Sequence, residues 1–74
     1  MYFSEYPNGA WIDCEFIDRA TGEVFFVEER KCEGECSEDF ITKCQEIADE
    51  NFSAPEFVRL VDPEEADILG YDTY

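Results

Sequence analysis

Two segments decide the fold of this chain: Ala10-Trp-Ile-Asp-Cys-Glu-Phe-Ile-Asp18 and Glu23-Val-Phe-Phe-Val-Glu-Glu-Arg-Lys31, joined by Arg19-Ala-Thr-Gly22. Both segments are rich in the aromatic and β-branched side chains that strands favour. Gly22 can adopt the positive φ that a short connecting loop requires. The sequence therefore predicts a β-hairpin with strands at residues 10–18 and 23–31.

The two faces of this hairpin differ in chemistry. Pairing Asp18 with Glu23 places Phe16 opposite Phe25 and makes one face apolar, with Ile12, Cys14, Phe16, Phe25 and Val27. The other face mixes aromatic and acidic groups: Trp11, Asp13, Glu15, Ile17, Val24, Phe26 and Glu28. Two alternatives remain for this second face. Either the N-terminal segment or Leu69 and Tyr71 cover it, or it is exposed and docks onto a partner or a second copy.

Downstream of the hairpin, the pattern predicts a helix over residues 37–51, with Ser37 as its N-cap. Its apolar positions have helical spacing and form one buried stripe: Phe40, Ile41, Cys44, Ile47 and Ala48. Residues 56–61 read as a strand that rejoins the sheet. Asp62-Pro63 then begins a short helix over 63–69, which Gly70 ends.

The remaining segments complete a predicted single acidic α+β domain, residues 1–74. Residues 2–6 could form a further short strand, and residues 71–74 should fold back or remain mobile. The fold class is a small antiparallel sheet, made of the hairpin and strand 56–61. Helix 37–51 packs on one face of that sheet, and the short helix 63–69 follows.

The charge of the chain is its outlying property. There are 20 Asp and Glu against 5 Lys and Arg, no His, and a formal net charge of -15. Duplex DNA of about the same length as such a domain, roughly 29 Å, carries about 17 phosphate charges, so the charge densities are comparable. Such a field repels nucleic acids and anionic membranes and attracts basic grooves. Three alternative explanations of the negative charge remain: a high-salt origin, a need for solubility, or pairing with a basic subunit.

Catalysis is not expected from these residues. The chain has no His, no Ser or Cys beside an evident base, and no Gly-rich loop of the phosphate-binding type. With 20 carboxylates, a pair at the spacing of a glycosidase site carries almost no information. We therefore predict a protein that is not an enzyme and that uses no cofactor.

The four cysteines, Cys14, Cys32, Cys36 and Cys44, leave three alternatives open. Four thiolates could bind zinc, but the usual Cys-x2-Cys knuckle is absent. Cys32 and Cys36 could form a disulfide under oxidising conditions. Free thiols are favoured, because no signal peptide and no long apolar run is apparent and the expected location is the cytoplasm.

Acidic side chains gather in three predicted clusters: Glu38, Asp39, Glu46, Asp49 and Glu50 on the long helix; Asp62, Glu64, Glu65 and Asp67 on the short one; and Glu28, Glu29, Glu33 and Glu35 between hairpin and helix. Surface ion pairs contribute little individually, so binding would also need apolar anchors. The candidate partner-binding residues are therefore Asp13, Glu15, Glu28, Glu38, Asp39, Glu46, Asp49, Glu50, Glu64 and Glu65, with Trp11 and Phe26 as anchors.

In size, charge and predicted hairpin-helix-strand build, the chain resembles the small acidic inhibitors made by phages and mobile elements, including DNA-mimic anti-CRISPR and anti-restriction proteins. The resemblance covers the whole chain and rests on no motif. It implies that carboxylates stand in for phosphates and occupy the Lys and Arg of a basic nucleic-acid-binding effector, such as a CRISPR-Cas complex. It also implies action in the host cell cytoplasm, with no direct binding of nucleic acid or membrane. The alternative is a generic acidic interaction module or a homodimeric subunit without mimicry.

Overall fold

The computed structural model describes residues 2–74, which form a three-stranded antiparallel sheet and two α-helices. The strand order is β2-β1-β3, so the first strand of the hairpin lies at the centre. This architecture confirms the predicted α+β class. The elements along the chain are β1 (Trp11–Asp18), β2 (Val24–Arg30), α1 (Ser37–Asn51), β3 (Pro55–Val61) and α2 (Pro63–Leu69), preceded by a short 3-10 turn at Phe3–Glu5.

The hairpin has the predicted register, with Phe16 opposite Phe25. Its loop is closed by Asp18, whose backbone N–H donates to the carbonyl of Glu23 at 2.8 Å. Gly22 adopts φ 79°, the left-handed conformation that its position in the loop requires. The buried carboxylate of Asp18 accepts hydrogen bonds from the backbone N–H groups of Ala20 and Ala54. This side chain therefore joins the hairpin loop to the segment that enters β3.

The apolar face of the hairpin packs against α1, as predicted. The core contains the inward residues of both strands together with Phe40, Cys44 and Ala48 of the helix. The N-cap of α1 is Cys36, one residue before the predicted Ser37. Cys36 has extended backbone angles, and its carbonyl accepts the first helical hydrogen bond from Phe40 at 3.1 Å. Ser37 is thus already inside the helix.

The N-terminal segment is not the predicted strand. Residues Phe3–Glu5 form a 3-10 turn instead, and both Phe3 and Tyr6 are buried in the core. The ammonium group of Lys31 donates to the carbonyls of Phe3 and Tyr6 at 3.0 and 2.7 Å. The turn itself is closed locally, by hydrogen bonds from Glu5 N–H to the Tyr2 carbonyl at 3.0 Å and from Tyr6 N–H to the Phe3 carbonyl at 3.2 Å, and these bonds replace strand pairing.

Strand β3 pairs with β1 through a bulge. Glu15 lies opposite Arg59 while Phe16 lies opposite Phe57, so Val58 has no partner and is 47% exposed. A bulge of this kind bends a strand and increases its twist. Val61 consequently lies on the face of the sheet that α1 does not cover, where it joins Phe26.

The second face of the sheet is covered by α2 and the C-terminal residues. Phe26 is 0% exposed and packs with Val61 and Ala66, and the ring of Tyr71 lies 5.5 Å from its ring. The tail folds back beside β2: Phe26 N–H donates to the carbonyl of Asp72, and its carbonyl accepts from Tyr74, both at 2.8 Å. The covered alternative is therefore correct for Phe26, and the prediction that Phe26 anchors a partner is wrong, whereas Trp11 on the same face is half-exposed.

Candidate acidic interaction surface

The outer face of α1 carries an exposed row of carboxylates. Asp39, Glu46 and Glu50 are spaced seven and four residues apart, so they lie along one side of the helix. At about 1.5 Å per residue, Glu38 and Glu50 are about 18 Å apart along the axis, with five acids between and including them. The acids form two groups, at positions 38–39 and 46–50, separated by about 10.5 Å along the axis between Asp39 and Glu46, whereas one DNA strand carries a charge every roughly 3.4 Å. The five exposed acids are Glu38, Asp39, Glu46, Asp49 and Glu50.

The basic residue of α1 does not neutralise this row. The Lys43 ammonium group forms an ion pair with Glu35 at 3.2 Å and donates to the carbonyl of Arg30 at 3.0 Å. Both partners precede the helix in the chain, so the lysine is held toward β2. Within the row, Asp49 accepts a hydrogen bond from Gln45, which leaves its charge uncompensated. We define these five carboxylates as the α1 acidic row.

The other basic side chains are also engaged inside the domain. Arg59 contacts both Glu15 and Glu65 at 3.3 and 3.0 Å. Two of the predicted partner-binding acids are therefore compensated by one guanidinium. Arg19 pairs with Glu56 at 2.6 Å, and this hydrogen bond lowers the pKa of Glu56.

Asp13 is buried rather than exposed, contrary to its predicted role in partner binding. Its side chain lies on the face covered by α2 and is 1% accessible, and neither of its carboxylate oxygens has a hydrogen-bond partner. Burial, followed by the adjoining carboxylates of Glu28 and Asp67, raises the pKa of Asp13 to about 7. The neighbouring carboxyl groups of Asp13 and Glu28 can form a hydrogen bond with each other only when one of them is protonated, because ionised carboxylates only accept.

Trp11 remains available as an anchor. Its side chain is 50% exposed, and the guanidinium carbon of Arg30 lies 5.6 Å from the ring centroid. A cleft of about 470 Å³ lies beside it, which is within the range of about 300–1,000 Å³ common for ligand sites. Besides Trp11, the cleft is lined by Glu5, Tyr6, Pro7, Asp62, Pro63 and Glu64. We call it the Trp11 cleft.

A larger groove of about 840 Å³ lies between the N-terminal segment, the start of α1 and β3. Its lining includes two cationic side chains, Lys31 and Arg59, together with Glu35. Mixed charge makes this groove a poor match for a basic partner. The Trp11 cleft, in contrast, has three carboxylates and, among the residues that the structure describes, no basic side chain in its lining.

The cysteines fall into two separate pairs. Cys14 and Cys44 are buried in the core, as predicted, whereas Cys32 and Cys36 are exposed near the start of α1. A hydrogen bond with Cys44 and burial raise the pKa of the Cys14 thiol far above its usual range. All four thiols are free, and no cluster of three or more potential metal ligands occurs within residues 2–74.

The predicted site residues thus do not form one surface. The five acids of the α1 acidic row are all exposed on α1, with a seven-residue step between Asp39 and Glu46, and Glu64 lines the same cleft as Trp11. Glu28 is half-buried beside Asp13, and Phe26 belongs to the core. Sequence reasoning missed Glu5, Tyr6 and Pro7 of the Trp11 cleft, since only the fold brings them to Asp62; the Tyr6 hydroxyl donates to that carboxylate.

Comparison with known protein families, with curated proteins and with solved structures finds no match for this chain. No helix in the described part of the chain combines the length and apolar character needed to cross a bilayer.

Proposed function

We propose that this protein binds a basic nucleic-acid-binding effector, such as a CRISPR-Cas complex, and blocks it by presenting carboxylates in place of phosphates. The observation that carries the proposal is the α1 acidic row, whose five carboxylates form no ion pair with any basic side chain of residues 2–74. On this proposal the effector's Lys and Arg, which normally contact phosphates, contact the row instead.

The charge of the whole domain supports the same proposal. The longest dimension of the molecule is 34 Å, and its net charge of -15 corresponds to one charge per about 2.3 Å of that length. Duplex DNA carries one per about 1.7 Å. A basic groove would therefore attract this domain nearly as strongly as it attracts a duplex of equal length, and the attraction would fall as salt rises.

The test is competition in vitro with a purified guide-RNA-loaded CRISPR effector and its labelled target DNA. The variant Glu46→Lys/Glu50→Lys reverses two charges of the α1 acidic row. The matched control, Glu23→Lys/Glu33→Lys, changes net charge equally at two exposed positions outside it. Each reversal removes an attraction and adds a repulsion of a few tenths of a kcal/mol, so we expect the row variant to inhibit about tenfold less well.

Three results would contradict the proposal. Equal weakening by both variants would mean that net charge acts without a defined surface. Unchanged inhibition by the row variant would exclude α1 as the contact, and failure to inhibit any effector tested would favour the generic acidic interaction module.

Homodimerisation through the aromatic sheet face is disfavoured, because α2 and the tail cover Phe26.

A further inference from the structure

The Trp11 cleft combines an aromatic wall with carboxylates on a concave surface. The half-exposed indole and two prolines supply apolar area, and three acidic side chains reach the same space: Glu5, Asp62 and Glu64. Aromatic faces attract cations through the ring quadrupole, and carboxylates attract them through charge. The lining thus offers two different attractions to one positively charged group.

The acceptor atoms of the cleft are only partly used by the protein. Asp62 accepts from the Tyr6 hydroxyl through Oδ1, and Glu5 accepts from the backbone N–H of Tyr2 through Oε2 at 3.0 Å. Each carboxylate retains its second oxygen, and Glu64 accepts no hydrogen bond from residues 2–74. Arg30 contacts the Trp11 ring but does not line the cleft, and no other basic side chain of residues 2–74 lines it.

We propose that the Trp11 cleft receives the guanidinium of an arginine side chain supplied by the partner protein. The proposal deepens the proposed function and rests on it, because a basic effector is the source of the arginine. Arginine fits better than lysine, since a planar guanidinium can stack on an indole while donating to two carboxylate oxygens. The charge complementarity between the acidic lining and a basic effector identifies this occupant.

Trp11 is the sole tryptophan of the chain, so its fluorescence reports directly on the cleft. The probe is N-acetyl-arginine amide, titrated at low salt, with N-acetyl-citrulline amide as the neutral control of similar shape. We expect a saturable change in Trp11 emission with the arginine probe and none with citrulline. Equal responses to the two probes, or no saturation with arginine, would overturn the proposal.

Glu→Gln substitutions, each of which removes one negative charge, test whether the probe binds in the cleft or responds only to the electrostatic field of the whole domain. Glu5→Gln/Glu64→Gln should weaken arginine binding about three- to tenfold, because two ion-pair partners are removed. The matched variant Glu46→Gln/Glu50→Gln removes the same charge from the α1 acidic row and should change binding less than twofold. Equal weakening of arginine binding by the two variants would refute the proposal that the Trp11 cleft is the binding site.

Two further measurements keep the test independent of folding and of the proposed function. Since Glu5 holds the N-terminal turn, Glu64→Gln alone provides a variant at an exposed position; it should still weaken binding measurably. Inhibition of the effector without arginine binding would overturn the cleft proposal alone. Arginine binding without inhibition of any effector would overturn the proposed function and support the cleft as a site for arginine.

Discussion

Replacing Asp13 by Asn should stabilise the domain in a strongly pH-dependent way. The side chain lies beneath α2 with both carboxylate oxygens unpaired, beside Glu28 and Asp67. Asparagine has nearly the same shape, carries no charge, and can donate its amide hydrogens to Glu28. The substitution therefore removes a buried charge without leaving a cavity.

The magnitude follows from the pKa of Asp13, which is 3.8 in the unfolded chain and about 7 in the folded one. The folded state binds the proton more tightly, so the stability associated with Asp13 is complete below pH 3.8 and is lost as pH rises toward 7. At about 1.4 kcal/mol per pKa unit, the native protein loses about 4 kcal/mol relative to the variant by pH 8. Small domains have total stabilities of about 5–15 kcal/mol, so this loss is large.

The assay is urea unfolding of the native protein and of Asp13→Asn, followed by circular dichroism at fixed ionic strength. The difference in unfolding free energy between them should be near zero below pH 4, widen through pH 5 and 6, and level off above about pH 7. Glu46→Gln removes an equal charge from an exposed position and should not give this profile. A difference between native protein and Asp13→Asn that is constant from pH 4 to 8 would refute the buried-carboxylate reasoning.

Two other predictions concern the core and the thiols. Phe26→Ala should lower the unfolding free energy by about 3–5 kcal/mol, because the ring is fully buried between the sheet, α2 and Tyr71. Urea unfolding measures this loss. A loss below about 1 kcal/mol would mean that α2 and Tyr71 do not cover this face. In a thiol-reagent assay, Cys32 and Cys36 should react quickly, and Cys14 and Cys44 only after denaturation. Four equally fast thiols in the native protein would contradict the burial of Cys14 and Cys44.

The hairpin was predictable because its determinants are local. The loop from Asp18 to Glu23 sets the register, and alternation then assigns each side chain to a face. The N-terminal segment was not predictable in the same way. Its aromatic residues suggest a strand, whereas local hydrogen bonds between Tyr2 and Glu5 and between Phe3 and Tyr6 close a turn. Lys31 then binds this turn from 25 residues or more away, a contact that the sequence pattern does not reveal.

The candidate site was predictable where it depends on a single element. Helical spacing alone places Glu46 and Glu50 on one exposed side of α1. The position of Asp13 could not be settled, because the sequence left open whether its face was covered. Whether α2 covers that face depends on the path of the chain after β3, and the bulge at Val58 changes the direction of this path. The Trp11 cleft likewise joins segments that are distant in sequence.

The engagement of every basic side chain has an evolutionary consequence. Lys31 holds the N-terminal turn, Lys43 and Arg59 bridge elements, Arg19 pairs with Glu56, and Arg30 binds the carbonyl of Gly9. An exposed carboxylate that forms no ion pair and lies outside the α1 acidic row can move to a neighbouring position, or change between Asp and Glu, with little loss of stability. Descendants of this chain should therefore drift in their acidic positions while they retain the few cations, and a distant relative would be recognised by its lysines and arginines.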